Sequence, residues 1–432
     1  LSVNHPQAPF PDLIDESLHE AVFLWTRWEA DLSSYSRNLH AVWTWSEDRL
    51  AGAIDGVQVA PAAMLKAMLS ADDGERATAR VWGRVLASSP DPAARALLAD
   101  QLRTAPDAQL QGLARGIEVA DLDGSFAPVA QLLAGLGPEH AAVLARLKQF
   151  RRAPLGTELQ KAYESGIEAL QALVLATVHG LPEPYVPAWI DVGLKHAAPA
   201  VRLAAITSGL KHRVVTAWGA ALELLRAPTA ESAGLFRYVA MLGGPAEQRL
   251  LFAPHADVAV QRQALWALGH VGTAEAVEHC LEAMAQPQLA RAAGEAYCLI
   301  TGAQLADDRL TAAEPPDAAT PEFEADDLEA DLVPKPEDLW PLPDPHAVRA
   351  HWRANAARFA PGVRHLRGVP ADPARLLSAL ESGPMLRRAD HAFELFVRTG
   401  GRCDVEVRAT TVTQRRMLAA ARAGGAANAG VD

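Results

Sequence analysis

A chain of 432 residues, half of them hydrophobic, can bury a substantial core, and its length suits either roughly two to four globular domains or one long repeat body. A formal net charge of -12 argues against a chain that holds nucleic acid through overall positive charge. Three scattered cysteines (Cys280, Cys298, Cys403) exclude a disulfide framework and a cysteine metal cage, and read as small apolar residues in a reducing compartment.

Ala is abundant and runs of Val, Ile and Thr are scarce, so local propensity points to an all-α protein. No apolar run approaches the roughly 18 residues of a membrane span. The opening LSVNHPQAPFPDL is Pro-rich and polar, unlike a signal peptide. The expectation is a soluble, cytoplasmic protein.

Residues 1–60 are expected to form an aromatic-rich N-terminal helical cap. His19–Trp28 and Leu39–Ile54 carry apolar residues at helical spacing, and Trp25, Trp28, Trp43 and Trp45 lie here. Large rings suit the open end of a stack; the same rings exposed would suit a contact surface.

Residues 61–305 read as a HEAT-like α-solenoid of stacked helix pairs. PAVRLAAITSGL (199–210), DVAVQRQALWALG (257–269) and PQLARAAGEAYCLITG (287–302) share one order: a helix-starting Pro or Asp, an Arg, an Ala-rich run, then Gly. The glycines Gly209, Gly243, Gly269 and Gly302 are expected to close units of two short helices. Arg202, Arg262 and Arg291 are expected at unit interfaces, bonded to carboxylates or carbonyls of the adjoining turn.

Residues 306–345 form an acidic, Pro-rich segment. Between Asp307 and Asp344 it carries thirteen Asp and Glu against Arg309 and Lys335. Such composition predicts extended, solvated chain, yet Phe323, Leu328, Leu332, Leu339 and Trp340 are interleaved with the acids. Those apolar residues are expected to pin the strip along the solenoid or the C-terminal region.

Residues 346–432 are expected to be a small, mainly helical region, Arg-rich, with fourteen Arg and no Lys. Helices are predicted at 345–359, 372–381, 383–399 and 414–422, with a short strand at 403–413 where CDVEVRATTVT alternates. The adjoining opposite charges predict that this region docks onto the acidic strip.

The sequence shows no legible chemistry. His19-Glu20 lacks the second His of a zinc-protease helix, and neither a GxSxG elbow nor a phosphate-cradling Gly-rich loop is present. His279-Cys280 is a single pair, too few for a metal site, and Glu295 reads as an interface acid rather than a general base. The reading is a non-enzyme without cofactor, metal or small-molecule substrate.

HEAVFLW (19–25), DRLAGAIDGVQVAP (48–61), RAAGEAYCLITG (291–302), DDLEADLVPKPEDLWPLPDP (326–345) and RFAPGVRHLRG (358–368) resemble, in this order, the blocks of an uncharacterised proteobacterial family of HEAT-like repeat proteins. Members of that family are often associated with type VI secretion clusters. The resemblance implies a role beside a secreted effector, as an immunity protein that binds and neutralises a cognate toxin. It supplies no catalytic residues. If the toxin is a nuclease with a basic cleft, an acidic strip with apolar anchors suits that cleft, which makes Asp326, Asp327, Glu329, Asp331, Glu337, Asp338 and Trp340 the candidate partner-binding residues. The alternatives are an effector adaptor or scaffold for type VI secretion and, less favoured on charge, a nucleic-acid-binding solenoid.

Overall fold

A computed structural model describes residues 10–71, 74–121, 126–177, 185–312 and 336–424. The fold is all-α and solenoid-like, as the composition predicts. The chain divides into two compact units: unit 1 is Leu1–Trp218 with Leu377–Asp432, and unit 2 is Gly219–Leu376.

Unit 1 opens with α1 (Pro11–Asp31), then α2 (Leu39–Val42), which runs through a π-helical turn (Trp43–Glu47) into α3 (Asp48–Gln58). Trp25 and Trp28 are fully buried, edge to face at 5.7 Å, whereas Trp45 remains 65% exposed. There follow α4 (Ala62–Ala71), α5 (Arg76–Ser88), α6 (Pro92–Thr104), α7 (Asp107–Val119), α8 (Phe126–Ala134) and α9 (Pro138–Phe150). Next come α10 (Thr157–Tyr163), α11 (Glu168–Thr177), α12 (Tyr185–Leu194) and α13 (Pro199–Lys211). Alternate helices stack: α5 on α7, α7 on α9, α9 on α11 and α11 on α13, with α4, α6 and α8 in a second row. That is the layering of helix pairs.

The stacking is closest between α5 and α7, and glycine permits it. A Cβ on Gly112 would lie 2.6 Å from the Arg76 carbonyl oxygen, and one on Gly116 would overlap the Arg80 carbonyl. Close-packed interiors have no slack for such atoms. Gly209, expected to close a unit, instead lies inside α13; a side chain there would strike Ala217 and approach Ile190.

In unit 2, α14 (Val215–Leu224) crosses the division and α15 (Phe236–Leu242) and the short α16 (Pro245–Gln248) follow. Then α17 (Val258–Val271), α18 (Ala274–Ala283) and α19 (Pro287–Thr301) form the best-defined repeat, α15 packing on α17 and α17 on α19. The Asp257 side chain caps α17 by accepting from the Ala259 N–H at 2.7 Å, and Pro287 starts α19. The actual cap of α17 is Gly272 rather than Gly269, in the left-handed conformation that glycine adopts without penalty; Gly302 plays the same part for α19.

After α20 (Pro345–Asn355) the chain forms a hairpin that the sequence reading did not expect, β1 (His365–Leu366) with β2 (Val369–Pro370). Its turn residues Arg367 and Gly368 both have positive φ (52° and 80°), the geometry that two-residue hairpins favour. The hairpin terminates the repeats: His365 N–H donates to the Gly272 carbonyl at 2.8 Å, and Arg367 N–H to that of Leu299 at 2.7 Å. Orphan carbonyls at the ends of α17 and α19 are thereby satisfied.

The chain returns to unit 1 through α21 (Pro373–Ser382), α22 (Arg388–Arg398) and α23 (Thr411–Ala423). The predicted strand at 403–413 does not form. Cys403 and Val405 are buried as alternation suggested, but Cys403 N–H turns back to Thr399 Oγ1 at 3.0 Å, and Thr410 caps α23. Two arginines in left-handed conformations at the ends of α9 and α13 hold this segment: Arg152 pairs with Asp404 at 2.6 Å, and Arg213 donates to the Val397 carbonyl at 2.6 Å. The expected docking of C-terminal arginines on the acidic strip falls largely on 313–335, outside the described residues. Arg408 faces Glu29 at 3.8 Å, Arg398 pairs with Glu394 at 2.7 Å, and Arg422 pairs with Glu381.

Candidate functional site

Of the seven residues expected to contact a partner, Asp326, Asp327, Glu329 and Asp331 lie outside the described residues, as do Phe323, Leu328 and Leu332. Glu337, Asp338 and Trp340 lie in unit 2, on and just after a 3₁₀ turn (Pro336–Leu339) beside α17 and α19.

Trp340 is buried, 9% exposed, against the protein's own repeat. Its ring lies 6.1 Å from that of Trp266 on α17, and its carbonyl accepts a hydrogen bond from Arg291 Nη1 on α19. Trp340 is therefore an internal anchor against the repeat, with little of its ring left to offer a partner. Leu339 takes the outward position, 80% exposed. Both residues are expected from the sequence to pin the strip to the protein's own body; Trp340 does so against the Trp266 ring and Leu339 does not.

Arg262 performs the expected interface task and a second one. Its Nε donates to the Gln288 carbonyl of the adjoining turn at 3.0 Å, and its Nη1 to Glu337 Oε1 at 3.3 Å. The repeat arginines of α17 and α19 thus grip the end of the acidic stretch, one by side chain and one by backbone. A planar guanidinium with several fixed donors serves two partners at once, which a lysine does not reproduce.

The flanks of the stretch also meet. Ala312 N–H donates to the Leu342 carbonyl at 2.9 Å and Asp344 N–H to that of Leu310 at 2.7 Å, with Thr311 bridged to Pro343. Pro343 is buried over α19 where Gly294 leaves room; a Cβ there would lie 3.1 Å from the proline ring. The sequence suggested a strip running along the protein. The structure shows that residues 310–312 pair with residues 342–344, an arrangement with no local sequence signal because the partners lie about thirty residues apart in the chain.

Among the described residues no group of three or more His, Cys, Asp or Glu is placed to hold a metal, and no helix is long and apolar enough to cross a membrane. Glu295 is buried within α19. What the fold and this site define is an all-α helical-repeat protein that carries a clamped acidic turn. Comparison with protein-family models, curated proteins and solved structures gave no match.

Proposed function

We propose that the chain is a protein-binding scaffold, the immunity protein of a type VI secretion toxin, and that its acidic stretch engages a basic surface of that effector. The observation that carries this reading is Leu339, held 80% exposed beside Glu337 and Asp338 on a turn fixed by Arg262, Arg291 and Trp266. An apolar side chain ringed by acids suits the centre of an interface with a basic partner: the acids steer association and the apolar group supplies the desolvated contact. Because the turn is already ordered, binding does not carry the cost of immobilising it. The resemblance to HEAT-like proteins found with secretion clusters supports an effector as that partner.

The test is co-expression with the product of the adjacent effector gene. Growth is arrested by the effector alone and restored by this chain, and the two proteins co-purify. Normal growth of cells making the effector alone overturns the reading.

A further inference from the structure

We propose that a cleft in unit 1 binds an acidic segment of a protein partner. The cleft has a volume of about 1080 Å³ and lies where the C-terminal ends of α5 and α7 face the start of α23. Sites for small molecules occupy about 300–1,000 Å³, so its size suits a length of peptide better than a single metabolite.

Four arginines line it: Arg84, Arg95, Arg151 and Arg416. Arg84 and Arg151 belong to the wall. Burial lowers both guanidinium pKa values, Arg151 to about 10, against the opposing influence of Glu47 and Asp55 on Arg84 and of Asp121 and Glu118 on Arg151. Arg151 Nη2 donates to the Ile117 and Ala120 carbonyls at 2.5 and 2.8 Å, holding the end of α7. Arg84 Nη1 is buried with no hydrogen-bond partner.

The mouth is different. The side chains of Arg95 and Arg416 are exposed and make no ion pair or hydrogen bond among the described residues. Of the lining carboxylates, Glu118 is bonded to Arg115 at 3.0 Å and Arg146 at 2.7 Å, while Asp55 and Asp121 are exposed and act through charge on the wall arginines Arg84 and Arg151. Two guanidinium forks with no ion pair among the described residues thus line the cleft of a protein whose net charge is -12. Ile54, Phe150 and Met417 supply apolar wall between them. Forks for carboxylates beside apolar contacts suit a segment in which Asp or Glu alternates with Leu-like side chains. This site is opposite in charge to the acidic turn, lies in the other unit and does not depend on the function proposed above.

The test is fluorescence anisotropy on the full chain with a labelled peptide of alternating Glu and Leu, its Lys-for-Glu counterpart, and tripolyphosphate as competitor. The acidic peptide binds saturably and more weakly as salt rises, the Lys peptide does not bind, and Arg95→Glu with Arg416→Glu lowers affinity at least about ten-fold while circular dichroism and melting stay unchanged. Absence of saturable binding at low salt, equal affinity in the double variant, or preferential binding of tripolyphosphate would each overturn the proposal, the last by marking a phosphate site. Loss of growth protection bears on the immunity reading alone.

Discussion

Thr411 donates its backbone N–H and its hydroxyl hydrogen to the Glu47 carboxylate, each at 2.9 Å, across 364 residues of chain. The Trp28 indole N–H donates to the same carboxylate at 3.0 Å, and Glu47 is only 3% exposed. One acid in the π-helical turn thus joins the first helix of unit 1 to its last. Arg115 likewise ties α1 to the segment that leads into α23, with Glu29 at 2.5 Å and the Arg408 carbonyl at 2.8 Å.

Removing the Glu47 acceptors is expected to be costly. Glu47→Ala leaves the buried Trp28 and Thr411 donors without a partner, a loss of about 2–4 kcal/mol. Urea unfolding followed by Trp fluorescence measures it; a change within error of wild type refutes the role assigned to Glu47.

Two glutamates give opposite pH dependences. Burial raises the Glu47 pKa despite its hydrogen bonds from Thr411 and Trp28, so the native state holds that proton more tightly than the unfolded chain. Stability from this group is fully present below the ordinary value of 4.5 and declines as pH rises through the raised one. For Glu29, burial also pushes upward but the charge and hydrogen bond of Arg115, with Arg408 and Arg80, prevail and lower its pKa. Its contribution is present above 4.5 and is lost as pH falls through the lowered value. In urea titrations between about pH 3 and 7, Glu47→Gln removes the first slope and Glu29→Gln the second.

Gly116→Ala and Gly52→Ala are predicted to differ in sign. At Gly116 the added carbon overlaps the Arg80 carbonyl and forces α5 from α7, a loss of about 1–3 kcal/mol or more. At Gly52, exposed within α3, nothing lies within 4 Å, and the better helix former adds about 0.5–1 kcal/mol. Thermal melting of the two variants decides it.

The turn that presents Leu339 separates anchoring from contact. Trp340→Ala is expected to raise hydrogen exchange at 336–344 and to weaken effector binding through loss of the fixed turn. Leu339→Lys is expected to lower effector affinity at least about ten-fold, equivalent to ~1.4 kcal/mol, with unchanged exchange and melting. Equal affinity in Leu339→Lys removes this side chain from the interface.

Much of the fold was legible because helix starts are local. Pro199, Asp257 and Pro287 begin helices as their residue types demand, and the Ala-rich stretches behind them are buried. Helix ends were less legible: Gly209 serves packing inside α13 and Gly269 is buried within α17, while the cap sits at Gly272. Features made by distant partners left no trace. Glu47 reads as one acid among many until Thr411 meets it, and CDVEV reads as a strand because alternate burial is shared by strands and by irregular chain pressed on a helix. The candidate site was half visible. Composition marked the acidic stretch, but only the Trp266 ring shows which of Leu339 and Trp340 faces inward.

The bond between Glu47 and Thr411 also orders events during synthesis. Unit 2 is encoded between the two parts of unit 1, so a ribosome finishes all of unit 2 before it makes the helix that Glu47 receives. Until Thr411 emerges, the nascent first unit carries a buried-type carboxylate and the Trp28 indole without their third partner. Unit 2, contiguous in the message, can settle first, and the last-made helix then locks a body begun more than three hundred codons earlier.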